Sequence, residues 1–252
     1  MKDLHLNLFY SYNRDNELIE NNLTRAFIVT LRLLSPDARD ALLQALLKEP
    51  LQRLGAPEHS YHNVKMALQS NMNREHSQRL PFRYLIAMTS DRVIMSEEVD
   101  FEEIVSGIYD SIPDGWIYDP DSDFCFLNEA KVGSNPINEV QVLSHAGIWL
   151  GIDAHKLPKH LISLTWIDVI QAVRSLNQTS DGITFNTQEI MLLDELVDFL
   201  GLFGYRIFTG ISWDNLQQHP DFYLSNYLLS HADWHQFSGL YPAPDFRLYV
   251  KN

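Results

Sequence analysis

Apolar and polar positions follow two different periods along this chain. From Glu17 to Leu34 the apolar positions Leu23, Phe27, Leu31 and Leu34 recur at three- and four-residue steps, with Thr30 beside Leu31. That spacing makes one helix face. "SPDARDALLQALLKEP" predicts a second helix, capped by Ser35, with Pro36 in its first turn and Pro50 as its stop. The polar stretch from Leu51 to Pro81 predicts loops with some helix. "FRYLIAMTS" reads as a strand or a short helix, and "DFEEIVSGIYDSI" fits either. "GWIYD" and "FCFLNEAKV" have the aromatic and aliphatic density of strands, and "DPDSD" between them has turn chemistry. A helix is expected from about Pro136 to Leu150, with Ser134 or Asn135 as its cap. "HLISLTW" then predicts a strand, "IDVIQAVRSL" a helix, and "NTQEIMLLDELVDFLGLF" a long amphipathic helix. The order predicts a mixed α/β fold.

The chain has 252 residues, 45% of them apolar and 21% charged. This suits one domain spanning 1–252, with a core at about 17–166 and a helical extension from about 167. No apolar run reaches the roughly 18–20 residues that span a bilayer, so no membrane partner is expected. "MKDLHLNLFYSYNRDN" lacks an apolar core followed by a small-residue cleavage site. With a single cysteine, Cys125, this points to a cytoplasmic setting.

Net charge is −14, unlike a dedicated nucleic-acid binder, but the charge is unevenly spread. Between Leu51 and Arg83, Arg53, Lys65, Arg74, Arg79 and Arg83 stand against Glu58 and Glu75. Between Asp91 and Asp123 eleven acids stand against Arg92 alone. A mildly basic segment therefore precedes a strongly acidic one. Two solvated surfaces would explain this, and so would a phosphate-contacting arm beside a cation-binding cleft.

Side chains alternate across a strand, so Cys125, Leu127, Glu129 and Lys131 share one face of "FCFLNEAKV". Glu129 and Lys131 then project side by side, about 7 Å apart. Phe124, Phe126, Asn128, Ala130 and Val132 form the other face, the expected core side. A hairpin between the two strands can bring Asp114 to Glu129. Two carboxylates and a lysine in one cleft suit phosphodiester hydrolysis. The carboxylates hold a hard divalent cation, and the lysine positions or deprotonates a water and offsets transition-state charge.

Pro113-Asp114, fourteen residues, then Glu129-Ala130-Lys131 resembles the motif of the PD-(D/E)xK nuclease superfamily. Gln141 follows on the next predicted helix, where many members carry a glutamine. The resemblance covers roughly Glu17 to Trp166. It implies a restriction-endonuclease-like core, a mixed central sheet flanked by helices. It further implies Asp114 and Glu129 as ligands of Mg2+ or Mn2+, with the Ala130 carbonyl beside them. Lys131 would be the catalytic lysine and Gln141 an auxiliary residue. Many relatives add a glutamate from the first core helix, and Glu20 supplies one here, on the face of Leu23, Thr24 and Phe27. The start of the chain is also similar to nuclease-like proteins of bacterial antiviral systems. The implied activity is a Mg2+-dependent nuclease acting on DNA. Lys65, Arg74, Arg79 and Arg83 are candidate nucleic-acid contacts. The acidic balance predicts a homo-oligomer or further protein subunits that grip the substrate. Two other readings of the charge are a non-catalytic interaction subunit on the same fold and a nucleic-acid mimic.

Rival motifs are weaker. "DPDSDF" starts like a calcium loop, but Phe124 and Ala130 stand where that loop needs glycine and glutamate. It reads as a hairpin turn, with Asp119 as a fallback for Asp114. "HADWH" spaces His231 and His235 like a zinc pair without the glutamate of the hydrolytic version. His145 reads as a core or rim histidine, with a catalytic helper as the sharper alternative. Cys125 reads as a buried structural thiol. Trp213, Tyr223, Tyr227 and Trp234 could stack bases but suit a core or interface better. The chain carries no Gly-Lys-Ser phosphate loop and no dinucleotide fingerprint.

Overall fold

A strand whose two faces are both apolar needs a cover on each side. The segments 82–89 and 124–130 are such strands, and they lie side by side in the interior of a five-stranded sheet. A computed structural model describes residues 8–9, 19–68, 74–90, 112–119, 121, 123–132, 139–178, 185–207, 211–212 and 250–251. It does not extend to the side chains of 19–21, 177–178, 211–212 and 250–251. The chain divides into two compact units, Met1–Tyr205 and Arg206–Asn252. The helices that follow the last strand of the sheet lie in the first unit.

In the first unit the elements run α1 (Ile19–Leu33), α2 (Pro36–Arg53), β1 (Lys65–Leu68), α3 (Arg74–Arg79), β2 (Phe82–Thr89), β3 (Gly115–Tyr118) and β4 (Phe124–Ala130). They continue with α4 (Glu139–Leu150), a 3-10 turn (Ala154–Lys159), β5 (Leu161–Thr165), α5 (Trp166–Gln178) and α6 (Thr187–Leu202). The five strands form one mixed sheet in the order β1-β3-β4-β2-β5. β1–β3 and β3–β4 are antiparallel, whereas β4–β2 and β2–β5 are parallel. The second unit contributes β6 (Ile211–Ser212), parallel to β7 (Val250–Lys251).

Every residue of β4 is buried. One face, Cys125 and Leu127 with Leu85, Ala87 and Trp116, packs under Val142, Ala146 and Trp149 of α4. The sequence predicted an open cleft along this face. It is instead core, because α4 is apolar enough to cover it. On the other face Phe124 and Phe126 pack with Tyr61, Tyr84 and His59. That loop is tied to α2: Tyr61 N–H donates to Asp40 Oδ1 at 2.6 Å, and Gln44 Nε2 donates to the His59 carbonyl at 2.6 Å. α1 buries Leu23, Thr24 and Phe27, as its periodicity predicts, and its Ile28 lies over Gly115, where a Cβ would stand 3.5 Å from Ile28 Cγ1.

Ser35 caps α2 by accepting from Ala38 N–H at 3.4 Å. Pro50 does not stop that helix, which continues to Arg53. Proline removes one N–H, and the ladder resumes with Leu54 N–H on the Pro50 carbonyl at 3.2 Å. The stop is Gly55 at φ +69°, where Ala56 N–H returns to the Leu51 carbonyl and Gly55 N–H to the Gln52 carbonyl. One carboxylate joins two helix starts: Glu189 accepts from Asn186 N–H within a capping box and from Ser35 N–H at 3.0 Å. Burial opposes the ionised form of Glu189, but these hydrogen bonds prevail and hold its pKa below the usual value.

β1 and the short α3 lie in the stretch that predicted loops and some helix. No helix among the described residues is long and apolar enough to cross a membrane.

Candidate active site

The hairpin register sets the site. Gly115 pairs with Asn128, so one further step along the two strands puts Asp114 opposite Glu129. There Asp114 Oδ2 accepts from Ala130 N–H at 2.9 Å, so the side chain extends the ladder past the end of β3. The end of β4 is held from the other side as well. Lys131 N–H donates to the Met88 carbonyl at 2.8 Å, and Trp166 Nε1 donates to the Lys131 carbonyl at 3.0 Å. Trp166 opens α5 immediately after β5, so β2 and the segment that follows β5 both brace this end. Nothing in the local sequence around Trp166 signals that contact.

The Glu129 side chain is 1% exposed. Its Oε1 accepts from Gln141 Nε2 at 2.5 Å and stands 3.1 Å from Lys131 Nζ. Its Oε2 lies 3.2 Å from Nδ1 of His145, itself 0% exposed. That approach lacks the alignment of a hydrogen bond, and Oε2 has no aligned donor. A carboxylate so deeply buried needs polar neighbours of this kind to replace the water it has lost. Lys131 is 17% exposed and forms the outward side of the group. Asp114, Glu129, Lys131 and Gln141 therefore meet at one end of the sheet. His145 joins them, although its sequence context favoured a plain core or rim histidine. The one available sequence signal was its four-residue spacing from Gln141 on α4.

Other candidates lie elsewhere. Arg83 pairs with Cys125 and Lys65 with Tyr118, about 13 Å along the strands from the level of Glu129. Arg83 donates to the Gln78 carbonyl. Arg79 pairs with Glu75 at 3.5 Å, and the Arg74 guanidinium lies 4.3 Å from the centre of the Trp149 ring. α3 sits at the far end of α4, where Ser77 Oγ donates to the Trp149 carbonyl at 2.6 Å. The candidate basic contacts thus lie toward the opposite end of the sheet from Glu129. Asp119 Oδ1 accepts from Asp121 N–H at 2.9 Å, an ordinary turn bond. Burial pushes the Cys125 thiol up to about 12, which fits a structural thiol. Glu20 lies on α1, but its side chain is outside the described residues. So are Ser134, Asn135, His231, His235, Trp213, Tyr223, Tyr227, Trp234 and most of the acidic segment 91–123.

Among the described residues no group of three or more His, Cys, Asp or Glu side chains is arranged to hold a metal ion. Magnesium needs less from a protein, because it keeps several waters and is commonly held by one or two carboxylates. Two carboxylates and a main-chain carbonyl are all hard oxygen donors, and a buried carboxylate oxygen without an aligned donor suits a cation. The residues present fit that ion.

Fold and site together define a mixed α/β protein with a five-stranded sheet and an acid–lysine–amide cluster at one end of it. No family model matches the chain, and comparisons with curated proteins and with solved structures give no match.

Proposed function

We propose that this protein is a Mg2+-dependent nuclease of the PD-(D/E)xK type with a restriction-endonuclease-like core. It hydrolyses phosphodiester bonds of DNA in the cytoplasm, as a subunit of a multi-protein antiviral defence complex. One observation carries the reading: the hairpin register brings Asp114 to Glu129 while Lys131 Nζ stands 3.1 Å from the Glu129 carboxylate. The DNA substrate and the defence setting rest on sequence resemblance.

Asp114, Glu129 and the Ala130 carbonyl would hold the ion, with Glu20 as a candidate fourth group. A bound magnesium ion lowers the pKa of a coordinated water and neutralises charge on the phosphate. Gln141 fixes the Glu129 rotamer through Oε1. Lys131 faces outward beside that carboxylate, where its ammonium can orient the attacking water and offset the charge of the pentavalent transition state. Asp114 holds the end of the hairpin shut through the Ala130 N–H.

The test is cleavage of single- and double-stranded DNA with Mg2+. Lys131→Ala and Glu129→Gln should each lose at least about 100-fold of the wild-type rate. Equal cleavage by wild type and both variants would remove this cluster as an active site.

A second reading has its own support. Glu129 is almost fully enclosed, the basic candidates lie toward the other end of the sheet, and net charge is −14. A non-catalytic subunit on the same fold, binding a partner through acidic surface, would share these features. Mn2+ titration separates the two: a nuclease binds the ion and loses it with Glu129→Gln, whereas an interaction subunit binds none.

A further inference from the structure

α4 is an apolar helix over most of its buried surface, through Val142, Leu143, Ala146, Trp149 and Leu150. Gln141 and His145, four residues apart, break that pattern, and both approach Glu129. Burying an imidazole at 0% exposure costs free energy that an aliphatic side chain would not incur. Here the two polar residues divide the carboxylate between them. Gln141 holds Oε1, which Lys131 also approaches, and His145 stands against Oε2. Contact at a single oxygen leaves the carboxylate free to turn about its last torsion. Contacts at both oxygens from one rigid helix remove that freedom.

We propose that His145 is a positioning residue. With Gln141 it clamps the Glu129 carboxylate at both oxygens and so sets its affinity for a divalent cation. This inference rests on the nuclease reading of the same site. His145 acts through Glu129 and takes no part in the bond-breaking step. Groups that orient a metal ligand commonly change metal affinity by about 10–100-fold when removed.

The experiment is calorimetric titration of the full chain with Mn2+, paired with the Mg2+ dependence of DNA cleavage. His145→Phe keeps a ring of similar size and loses the nitrogen at Oε2. It should weaken Mn2+ binding by about 10–100-fold and raise the half-saturating Mg2+ concentration in proportion. The rate at saturating Mg2+ should change much less. His145→Asn returns a nitrogen near the Nδ1 position and should recover most of the affinity. His145→Ala serves the same comparison where the phenyl ring disrupts folding. A merely structural role would lower thermal stability in the Phe and Ala variants and leave the half-saturating metal concentration unmoved. Wild-type binding matched by a folded His145→Phe or His145→Ala would overturn the inference and leave the nuclease reading standing. Failure of the wild type to bind Mn2+ would overturn both.

Discussion

Each face of β4 receives an imidazole, half-buried on one side and fully buried on the other, and the two are treated in opposite ways. On the α2 side, His59 lies among aromatic rings, with centroids 4.5 Å from Phe124, 5.3 Å from Phe82 and 6.5 Å from Phe126. Its buried Nε2 has no hydrogen-bond partner. Burial pushes its pKa below the ordinary value. On the α4 side, His145 meets the buried carboxylate of Glu129, beside Gln141 and Lys131. The first ring works as a flat packing piece, and the second belongs to a polar group enclosed by core. Only two residues lie between Phe126 and Glu129 on one strand, so the difference does not come from position along the sheet. What explains it is which helix covers each face and which polar atoms that helix brings.

Three variants sharpen or break this contrast. Phe126→Ala should be the most damaging, because it empties the centre of the aromatic cluster. A loss of about 3–5 kcal/mol is expected from urea denaturation. A loss below about 1 kcal/mol would mean the cluster does not anchor the sheet. Next, Gln141→Leu leaves Glu129 without its closest hydrogen-bond donor. Leaving a buried carboxylate oxygen short of this donor should cost about 1–3 kcal/mol, read as a lower urea midpoint. An unchanged midpoint would show that Lys131 and His145 alone satisfy the carboxylate. The smallest effect belongs to His59→Phe, which swaps a ring with an unpartnered nitrogen for an apolar one. At pH 7 its stability should stay within about 1 kcal/mol of wild type. The pH dependence is the sharper readout. The folded pKa of His59 is depressed below the ordinary 6.5, so the neutral ring is favoured in the fold. The unfolded chain takes up this proton first as pH falls through 6.5, and wild-type stability then declines until the folded form protonates too. The variant lacks that decline, so its advantage should grow as pH falls below 6.5. Parallel wild-type and variant curves would show that the His59 ring is solvated in the fold.

Much of this architecture is legible in short windows. The hairpin, α1, the α4 helix over its last turns, β5 with α5, and α6 all follow from local periodicity and turn chemistry. The meeting of Asp114 and Glu129 was legible too, because a hairpin register depends on neighbouring residues only. Pro50 misled, since a proline near a helix end costs one hydrogen bond and Gly55 is the stronger stop. β1 is four residues long with no buried alternation, so its pattern carried no strand signal. The insertion of β2 between β4 and β5 depends on pairing between segments far apart in the chain, Phe82 with Phe124 and Leu85 with Leu161, which no local period encodes.

By itself the sequence determined the elements and the residues able to do chemistry, because period, capping and side-chain type act over a few residues. It set Glu129 and Lys131 on one strand face and aimed Asp114 at them. The tertiary structure alone decided that this face is core and not an open cleft. It also decided that His145 reaches the carboxylate, and that the basic residues lie toward the other end of the sheet. Those outcomes depend on which helix covers which face, and helix-on-sheet packing is settled by the summed fit of surfaces far apart in the chain.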